Sequence, residues 1–297
     1  MENKILLVVN PAAGNGNIEK DIDKIIENFQ SSGFKVQTEY TVKEESAENI
    51  IERKANDGDI VIAAGGDGTL NEVVNGVTKS KKIVKIGFIP YGTTNDFART
   101  LNIPINKYTL SKEIKNTTET KCDTGEFNGK YFNYVSAFGT FAKTSFATER
   151  KMKNRFGRLA YLANGTKDFL EEETNVHLKI TTDDQVIEDD FTYGSISNSK
   201  YIGGFKMFKN DEVSINDGKF EVLLIKTPKN KAELLKTYAS LINQVRDKNV
   251  IFLKTSKLKI ETDQTMQWSL DGECAETNGE IHINNLNNNI NVLTLKA

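Results

Sequence analysis

The chain has 297 residues, of which 38% are hydrophobic and 27% are charged, and its formal net charge is −2. This length suits two domains, and the nearly balanced charge excludes the general basic field that a nucleic-acid partner requires. The two cysteines, Cys122 and Cys274, provide neither a disulfide framework nor metal-ligand spacing, so we expect a reducing, cytoplasmic setting.

The first 122 residues alternate between apolar runs and amphipathic stretches. Apolar runs predict buried parallel strands at 4–10 and 60–66, and further strands are predicted near 35–41 and at 84–90. The stretches between and after them predict helices over about 17–32, 46–56, 70–78, 94–101 and 108–116, with Ser46 as a candidate N-cap. This alternation predicts a doubly wound α/β domain, a parallel sheet covered on both faces, over residues 1–122.

After Cys122 the pattern changes to short alternating stretches separated by Gly, Asn and Asp. Strands are predicted at 176–182, 186–196, 219–226, 250–261, 265–271 and 280–284. Asn128–Gly129 adds a hairpin signal, so residues 123–287 are predicted to form an antiparallel β domain. Helical insertions are expected near 156–170 and 230–246, and the Asn-rich stretch 284–291 is interpreted as a turn between strands.

Glycine-rich segments follow three of the predicted parallel strands. They are NPAAGNG at 10–16, GGDGT at 65–69 and GTTNDF at 92–97. In an open α/β sheet, ligands bind beyond the carboxyl ends of the strands, where glycine lets the backbone approach a phosphate. A simple turn that needs positive φ explains Gly14 and Gly16 equally well when they are taken alone. Three such segments at one edge of a sheet together predict a phosphate site.

These segments match neither the Walker A motif nor the dinucleotide-binding fingerprint. Without a P-loop lysine, a phosphate has to be bound by backbone N–H groups, hydroxyls and a metal. Thr69, Thr93 and Thr94 can supply the hydroxyls. Asp67 and Asp96 can orient water on Mg²⁺, which takes few direct protein ligands.

The motifs GGDGTLNEV at 65–73 and PYGTTNDFAR at 90–99, together with the first loop, closely resemble the diacylglycerol kinase catalytic domain. The best match is to the soluble bacterial diacylglycerol and lipid kinases, which are related to sphingosine and ceramide kinases. The order and spacing of the motifs fit over essentially the whole chain. The GGDGT element is shared with NAD kinases and phosphofructokinases, whereas GTTNDFAR is not and therefore decides the subfamily.

The resemblance implies an N-terminal nucleotide-binding domain, to which a C-terminal tail at about 288–297 returns, and a C-terminal β-sandwich for the lipid. The active site is expected in the cleft between these two domains. Contacts to ATP are implied for Asn10, Pro11, Ala12, Ala13, Gly14, Thr41, Gly66, Asp67, Gly68, Thr69, Leu70, Asn71, Glu72, Val73 and Thr94.

The same resemblance implies a catalytic base at Glu273 and a network of Mg²⁺-bound water around Asp67, Asp96 and Asp123. A second, structural Mg²⁺ is implied at the Asp217 carboxylate and the carbonyls of Ser214 and Lys219. The lead into that turn, MFKNDE at 207–212, lacks the prolines that many family members carry, which leaves the local loop shape open.

The segment Asp271-Gly272-Glu273 offers two carboxylates separated by a glycine. In an extended strand both would face the same side, so that Glu273 accepts a proton while Asp271 holds Glu273 or a metal. The alternative is an Asp-Gly turn with a solvated glutamate. Asp217-Gly218 has a similar alternative, a plain hairpin turn.

The resemblance thus implies an ATP-dependent lipid kinase that phosphorylates diacylglycerol or a similar lipid to phosphatidic acid or an analogue. Alternatives are a kinase of another alcohol, such as a sphingoid base, phosphatidylglycerol or NAD, and a non-catalytic nucleotide-binding regulator. With no signal peptide or spanning segment evident, we expect peripheral contact with the inner membrane surface. The basic segment 150–158 (RKMKNRFGR) is a candidate for that contact, or else a solvated loop, and a homodimer stays open.

Overall fold

The computed structural model describes residues 4–16, 18–139, 175–209, 211–230 and 247–296, together with residues 232, 233, 236, 237, 240 and 245. The basic segment 150–158, the helical insertion near 156–170 and much of the one near 230–246 lie outside the described residues. The chain divides into two compact units, Met1–Thr124 with Asn287–Ala297, and Gly125–Leu286.

The first unit is built on parallel strands with helices between them. Its strands are β1 (Lys4–Val9), β2 (Lys35–Tyr40), β3 (Ile60–Gly65) and β4 (Lys85–Pro90). Its helices are α1 (Glu19–Ser31), α2 (Ala47–Lys54), α3 (Asp67–Ser80), α4 (Asp96–Thr100) and α5 (Thr109–Glu113), with short 3₁₀ turns at Ala13–Gly16 and Ile114–Asn116. β1 pairs in parallel with β2 and β3, and β3 pairs in parallel with β4, which gives the order β2-β1-β3-β4.

This sheet is covered on both faces because both sets of alternating side chains in its central strands are apolar. Ile5 and Leu7 of β1 share a core with α1 and α5. The intervening Leu6 and Val8 are fully buried and point to the opposite face. There α2 packs on β1 and α3 packs on β3. The doubly wound class is therefore confirmed, and Ser46 caps α2 by accepting a hydrogen bond from Asn49 N at 3.3 Å.

The C-terminal strand β17 (Ile281–Leu295) contributes to both units. Its later part, at Asn291 and Val292, pairs in parallel with β4. The Asn-rich stretch is therefore not a turn between strands, and that prediction is wrong. The asparagine side chains instead make specific bonds, since Asn289 Nδ2 donates to Thr78 Oγ1 and Thr124 Oγ1, each at 2.8 Å.

The second unit consists of antiparallel strands. After β5 (Thr117–Phe127), which begins in the first unit, come β6 (Lys130–Phe132), β7 (Val135–Gly139), β8 (Val176–Thr181), β9 (Val186–Ser197), β10 (Tyr201–Ile202), β11 (Phe205–Lys206), β12 (Phe220–Lys226), β13 (Val250–Thr255), β14 (Lys257–Glu261), β15 (Thr265–Leu270) and β16 (Glu273–Asn278). The pairing order is β16-β15-β7-β9-β8-β14-β17, and β12 pairs with β9 and β13. At its centre, Trp268 meets Phe127 and Phe138 edge-on at 4.9 Å between ring centroids.

Candidate active site

The three glycine-rich loops of the first unit meet at the carboxyl ends of its strands. Asn10 follows β1, and its Nδ2 donates a hydrogen bond of 3.0 Å to Thr69 Oγ1 in the first turn of α3. Its Oδ1 accepts from Ala12 N at 3.0 Å, which folds the loop back on itself. Thr41 N donates to Val9 O at 2.9 Å, so the end of β2 lies beside the end of β1.

The loops after β3 and β4 touch through glycines. A Cβ atom added to Gly92 would lie 2.9 Å from the Cα of Gly66, a distance that no side chain tolerates. Gly14, at φ +61°, approaches Tyr91 in the same way, since its added Cβ would lie 3.1 Å from Tyr91 O. Both positions therefore require glycine, and a backbone without side chains is what an anion can approach closely.

Asp67, the first residue of α3, is the most unusual carboxylate in this region. Thr94 Oγ1 donates to its Oδ2 at 3.1 Å. Its Oδ1 is buried and has no hydrogen-bond partner within the described part of the chain. Burial raises the pKa of Asp67, although the Thr94 hydroxyl and the nearby backbone N–H groups of residues 95–97 act against that rise. A buried oxygen without a donor fits a water molecule held by Mg²⁺.

The remaining residues of the α3 motif face the protein interior. Leu70 and Val73 are fully buried, and Asn71 Oδ1 accepts a hydrogen bond of 2.9 Å from Asn75 Nδ2. Glu72 Oε2 accepts from Ala47 N at 2.7 Å and so binds the start of α2. Beyond the first turn, from Gly66 to Thr69, the side chains of this motif thus make contacts within the protein, and the ATP contacts expected for Leu70, Asn71, Glu72 and Val73 stay predictions.

The two other aspartates of the expected network are both fully buried. Asp96 begins α4, next to Asn95 in the left-handed conformation at φ 49°. Asp123 lies on β5, where its Oδ1 accepts a hydrogen bond of 2.7 Å from Asn288 N. Asp123 thus fastens the returning C-terminal strand, and its membership of a water network with Asp67 stays a prediction.

In the second unit, Asp271 and Gly272 form a tight turn rather than an extended strand. Leu270 pairs with Glu273 across this hairpin, and both central residues have positive φ, 50° for Asp271 and 97° for Gly272, as in a type I′ turn. The expectation that the two carboxylates share one face of an extended strand is therefore wrong.

The Asp271 carboxylate has a structural task within its own unit. It accepts backbone hydrogen bonds from Tyr134 N at 3.0 Å and Val135 N at 2.9 Å, and a third from Asn133 N. Asp271 is buried, whereas Glu273 is exposed at the first position of β16. Asp271 therefore fixes the hairpin that presents Glu273, and its expected catalytic role stays a prediction.

Next to the Asp217 turn, the strand β12 carries a further carboxylate, Glu221, that sequence analysis missed. Asp217 Oδ1 accepts from Lys219 N at 3.1 Å, and Lys254 Nζ lies 3.6 Å from Asp217 Oδ2 and 3.1 Å from Glu221 Oε1. Glu221 is fully buried, neither of its oxygens has a well-aligned hydrogen bond within the described residues, and burial raises its pKa to about 7. Its signal in the sequence was a glutamate inside the apolar strand FEVLLIK.

These oxygen donors suit a hard cation such as Mg²⁺. Within the described ranges, no group of three or more His, Cys, Asp and Glu side chains is arranged to hold a metal. A cation at the Asp217 turn would accordingly need backbone carbonyls, such as those of Ser214 and Lys219, and water to complete its coordination.

Comparison with known proteins gives matches over both units. The family model of the diacylglycerol kinase catalytic domain matches residues 4–127, and that of the YegS C-terminal NAD kinase beta sandwich-like domain matches residues 135–292. A diacylglycerol kinase of Staphylococcus carnosus (strain TM300) is 31% identical over 303 residues, which cover 100% of this chain and 96% of that protein. A diacylglycerol kinase of Bacillus subtilis (strain 168) is 30% identical over 271 residues, or 90% of this chain and 88% of that protein.

The fold is also found in solved structures. A crystal structure from Bacillus anthracis str. Sterne, described as a candidate diacylglycerol kinase, superposes with a TM-score of 0.81 at 26% identity, covering 98% of this chain and 94% of that one. These matches identify the class of protein as a kinase, that is, a phosphotransferase. The chain belongs to the diacylglycerol kinase family, a family of lipid kinases. The predicted combination of α/β and β-sandwich domains is confirmed, and no described helix is long and apolar enough to cross a bilayer.

Proposed function

We propose that the chain transfers the γ-phosphoryl group of ATP to the hydroxyl of diacylglycerol or a close relative, giving phosphatidic acid or an analogue. The observation that carries the proposal is the meeting of three glycine-rich loops around Asp67, whose buried Oδ1 has no donor among the described residues. Diacylglycerol is proposed as the acceptor because both relatives are named diacylglycerol kinase.

In this proposal the phosphates of ATP lie against Asn10 to Gly14 and the first turn of α3, with Thr41 at the neighbouring strand end. Backbone N–H groups and the positive end of the helix dipole favour an anion there. Thr94, whose hydroxyl already points at Asp67, stands on the adjoining loop. No lysine is needed in such a site, because many oriented backbone dipoles and a metal ion together stabilise the negative charge of the phosphates.

Asp67 would hold the catalytic Mg²⁺ through water, with Asp96 and Asp123 as further members of the network. When bound, the ion neutralises charge on the phosphate oxygens and orients them for transfer. The raised pKa of Asp67 fits this role, since a buried carboxylate gains most from a nearby cation. At the second unit's turn, Asp217 with the Ser214 and Lys219 carbonyls would bind a structural Mg²⁺.

Glu273 would act as general base. Its carboxylate removes the proton of the lipid hydroxyl while that oxygen forms a bond to the γ-phosphorus, and the bond from phosphorus to the bridging oxygen of ADP breaks. Glu273 is exposed and therefore accessible to a substrate, while the buried Asp271 keeps the hairpin rigid beneath it. The lipid acceptor places the working enzyme at a membrane surface, bound peripherally.

A lipid panel tests the proposal. The purified chain is supplied with γ-labelled ATP and Mg²⁺, and separately with diacylglycerol, phosphatidylglycerol, a sphingoid base and NAD, and the labelled product is identified. We expect phosphatidic acid to form fastest, and chelation of Mg²⁺ to stop the reaction. If only another alcohol is labelled, that alcohol and not diacylglycerol is the acceptor. If the chain binds nucleotide but no product is labelled, the result favours a non-catalytic regulator.

A further inference from the structure

A buried carboxylate on α1 gathers donors from two other segments of the first unit. Asp21 is 6% exposed. Its oxygens accept hydrogen bonds from the hydroxyls of Tyr91, at 3.3 Å, and Tyr108, and Lys107 Nζ completes an ion pair. Burial alone would raise the pKa of Asp21, but the bonds from Lys107 and Tyr108 outweigh it and hold the pKa below its ordinary value.

Among these four residues, Tyr91 is the one that stands in a glycine-rich loop. Its backbone N–H donates to Gly65 O at 2.6 Å, at the end of β3. Its ring and carbonyl oxygen lie against Gly14, so an added Cβ on Gly14 would meet Tyr91 Cδ1 at 3.2 Å. Its neighbour Gly92 touches Gly66. Tyr91 therefore contacts the loops after β1 and β3 while belonging to the loop after β4.

Lys107 and Tyr108 are differently placed, since they immediately precede α5 and pack with α1 through Asp21. The hydroxyl of Tyr108 makes the same kind of bond to the same carboxylate as that of Tyr91. Both tyrosines donate a hydrogen bond to Asp21, but only Tyr91 also contacts the glycine-rich loops. The two residues are therefore a matched pair for comparison.

We infer that Tyr91, anchored by Asp21, is a positioning residue that sets the spacing between the loop after β1 and the loop after β4, and thereby the fit of the nucleotide phosphates. The inference rests on the proposed function, because it takes these loops to be the phosphate site. Asp21 thereby connects Tyr91 to the first turn of α1 and, through Lys107 and Tyr108, to the residues just before α5. The physical requirement is that backbone N–H groups hold a phosphate well only when they are kept in register.

The matched variants Tyr91→Phe and Tyr108→Phe test this inference. Each removes one hydroxyl from Asp21 and keeps the aromatic ring. Thermal unfolding, the Kd for ATP, and kcat and KM are measured for both. We expect Tyr91→Phe to raise KM and Kd for ATP about 3- to 10-fold, which is the change in affinity that the loss of one hydrogen bond produces. We expect kcat to change less. Tyr108→Phe should leave the Kd for ATP, KM and kcat within about twofold of wild type. It should lower the thermal stability at least as much as Tyr91→Phe does.

A second variant guards against an indirect loss of stability. Asp21→Asn removes the charge but keeps an acceptor, and it should raise KM for ATP in the same direction. In the double variant with Tyr91→Phe the effects should be less than additive, because both act through one contact. Additive effects, or equal changes in KM for Tyr91→Phe and Tyr108→Phe, overturn the inference while leaving the kinase proposal standing. A wild-type chain that binds no ATP overturns both.

Discussion

At the scale of single residues, Asp271 and Glu273 differ in environment although they lie two positions apart. The carboxylate of Asp271 is buried and accepts three backbone N–H groups, whereas Glu273 is exposed at the first position of β16. A carboxylate occupied by three donors is poorly suited to take a proton, because those bonds stabilise its charged form. The residue that is free to do chemistry is therefore the second of the pair.

This contrast predicts how stability responds to changes at Asp271. Asp271→Ala leaves three buried N–H groups without an acceptor and puts alanine in a left-handed conformation, so the free energy of unfolding should fall by about 3 kcal/mol or more. Asp271→Asn tolerates that conformation and keeps one acceptor, so it should lose less. Denaturant unfolding measures both, and an Asp271→Ala chain as stable as Asp271→Asn would contradict the assigned role.

At the scale of elements, the packing of α2 against α3 positions the first turn of the Asp67 helix. The two helices approach closely at Gly76, where an added Cβ would lie 2.7 Å from Glu48 O and 2.8 Å from Ile51 Cβ. Both obstacles are backbone or Cβ atoms and cannot swing aside. Glu72 adds a bond from α3 to the start of α2, so these helices are joined along their shared face.

Gly76→Ala should therefore be destabilising, even though alanine is the better helix former. We expect the overpacking cost of about 1–3 kcal/mol to exceed the gain in helix propensity of about 1 kcal/mol. Gly68→Ala is the matched control in the same helix, since its added Cβ meets nothing within 4 Å, and its stability should be unchanged or slightly higher. Equal shifts in denaturation midpoint for the two variants would show that the helices can separate freely.

The strands differ in how readily the sequence predicts them. The sequence predicts β1, β3 and β4 well because these strands are buried on both faces and are therefore almost continuously apolar. β16 was missed because its residues, ECAETN, are polar and mostly exposed, so its strand character comes from pairing with β15. β17 was divided in two because its asparagines resemble a turn, while their actual partners, Thr78 and Thr124, are distant in the chain.

At the scale of the whole molecule, the alternation of strands and helices predicts an α/β domain and the later alternating stretches predict an antiparallel β domain. The family resemblance implies that the second domain is a β-sandwich, and both domain types are confirmed. The candidate site was only partly predictable. The meeting of three loops follows from parallel strand topology, whereas the role of Asp271 and the burial of Glu221 depend on which strands pair. Long-range pairing of this kind leaves no local signal beyond an isolated charge in an apolar run.

In the proposed reaction, Glu273 accepts the proton of the lipid hydroxyl while the loops of the first unit bind ATP. Single-turnover transfer from γ-labelled ATP to diacylglycerol tests it in Glu273→Gln, with Glu276→Gln, an exposed glutamate on the same strand, as the control. We predict that Glu273→Gln slows transfer by about 100-fold or more while its Kd for ATP stays within about twofold, and that Glu276→Gln behaves as wild type. Wild-type transfer by Glu273→Gln would contradict the account.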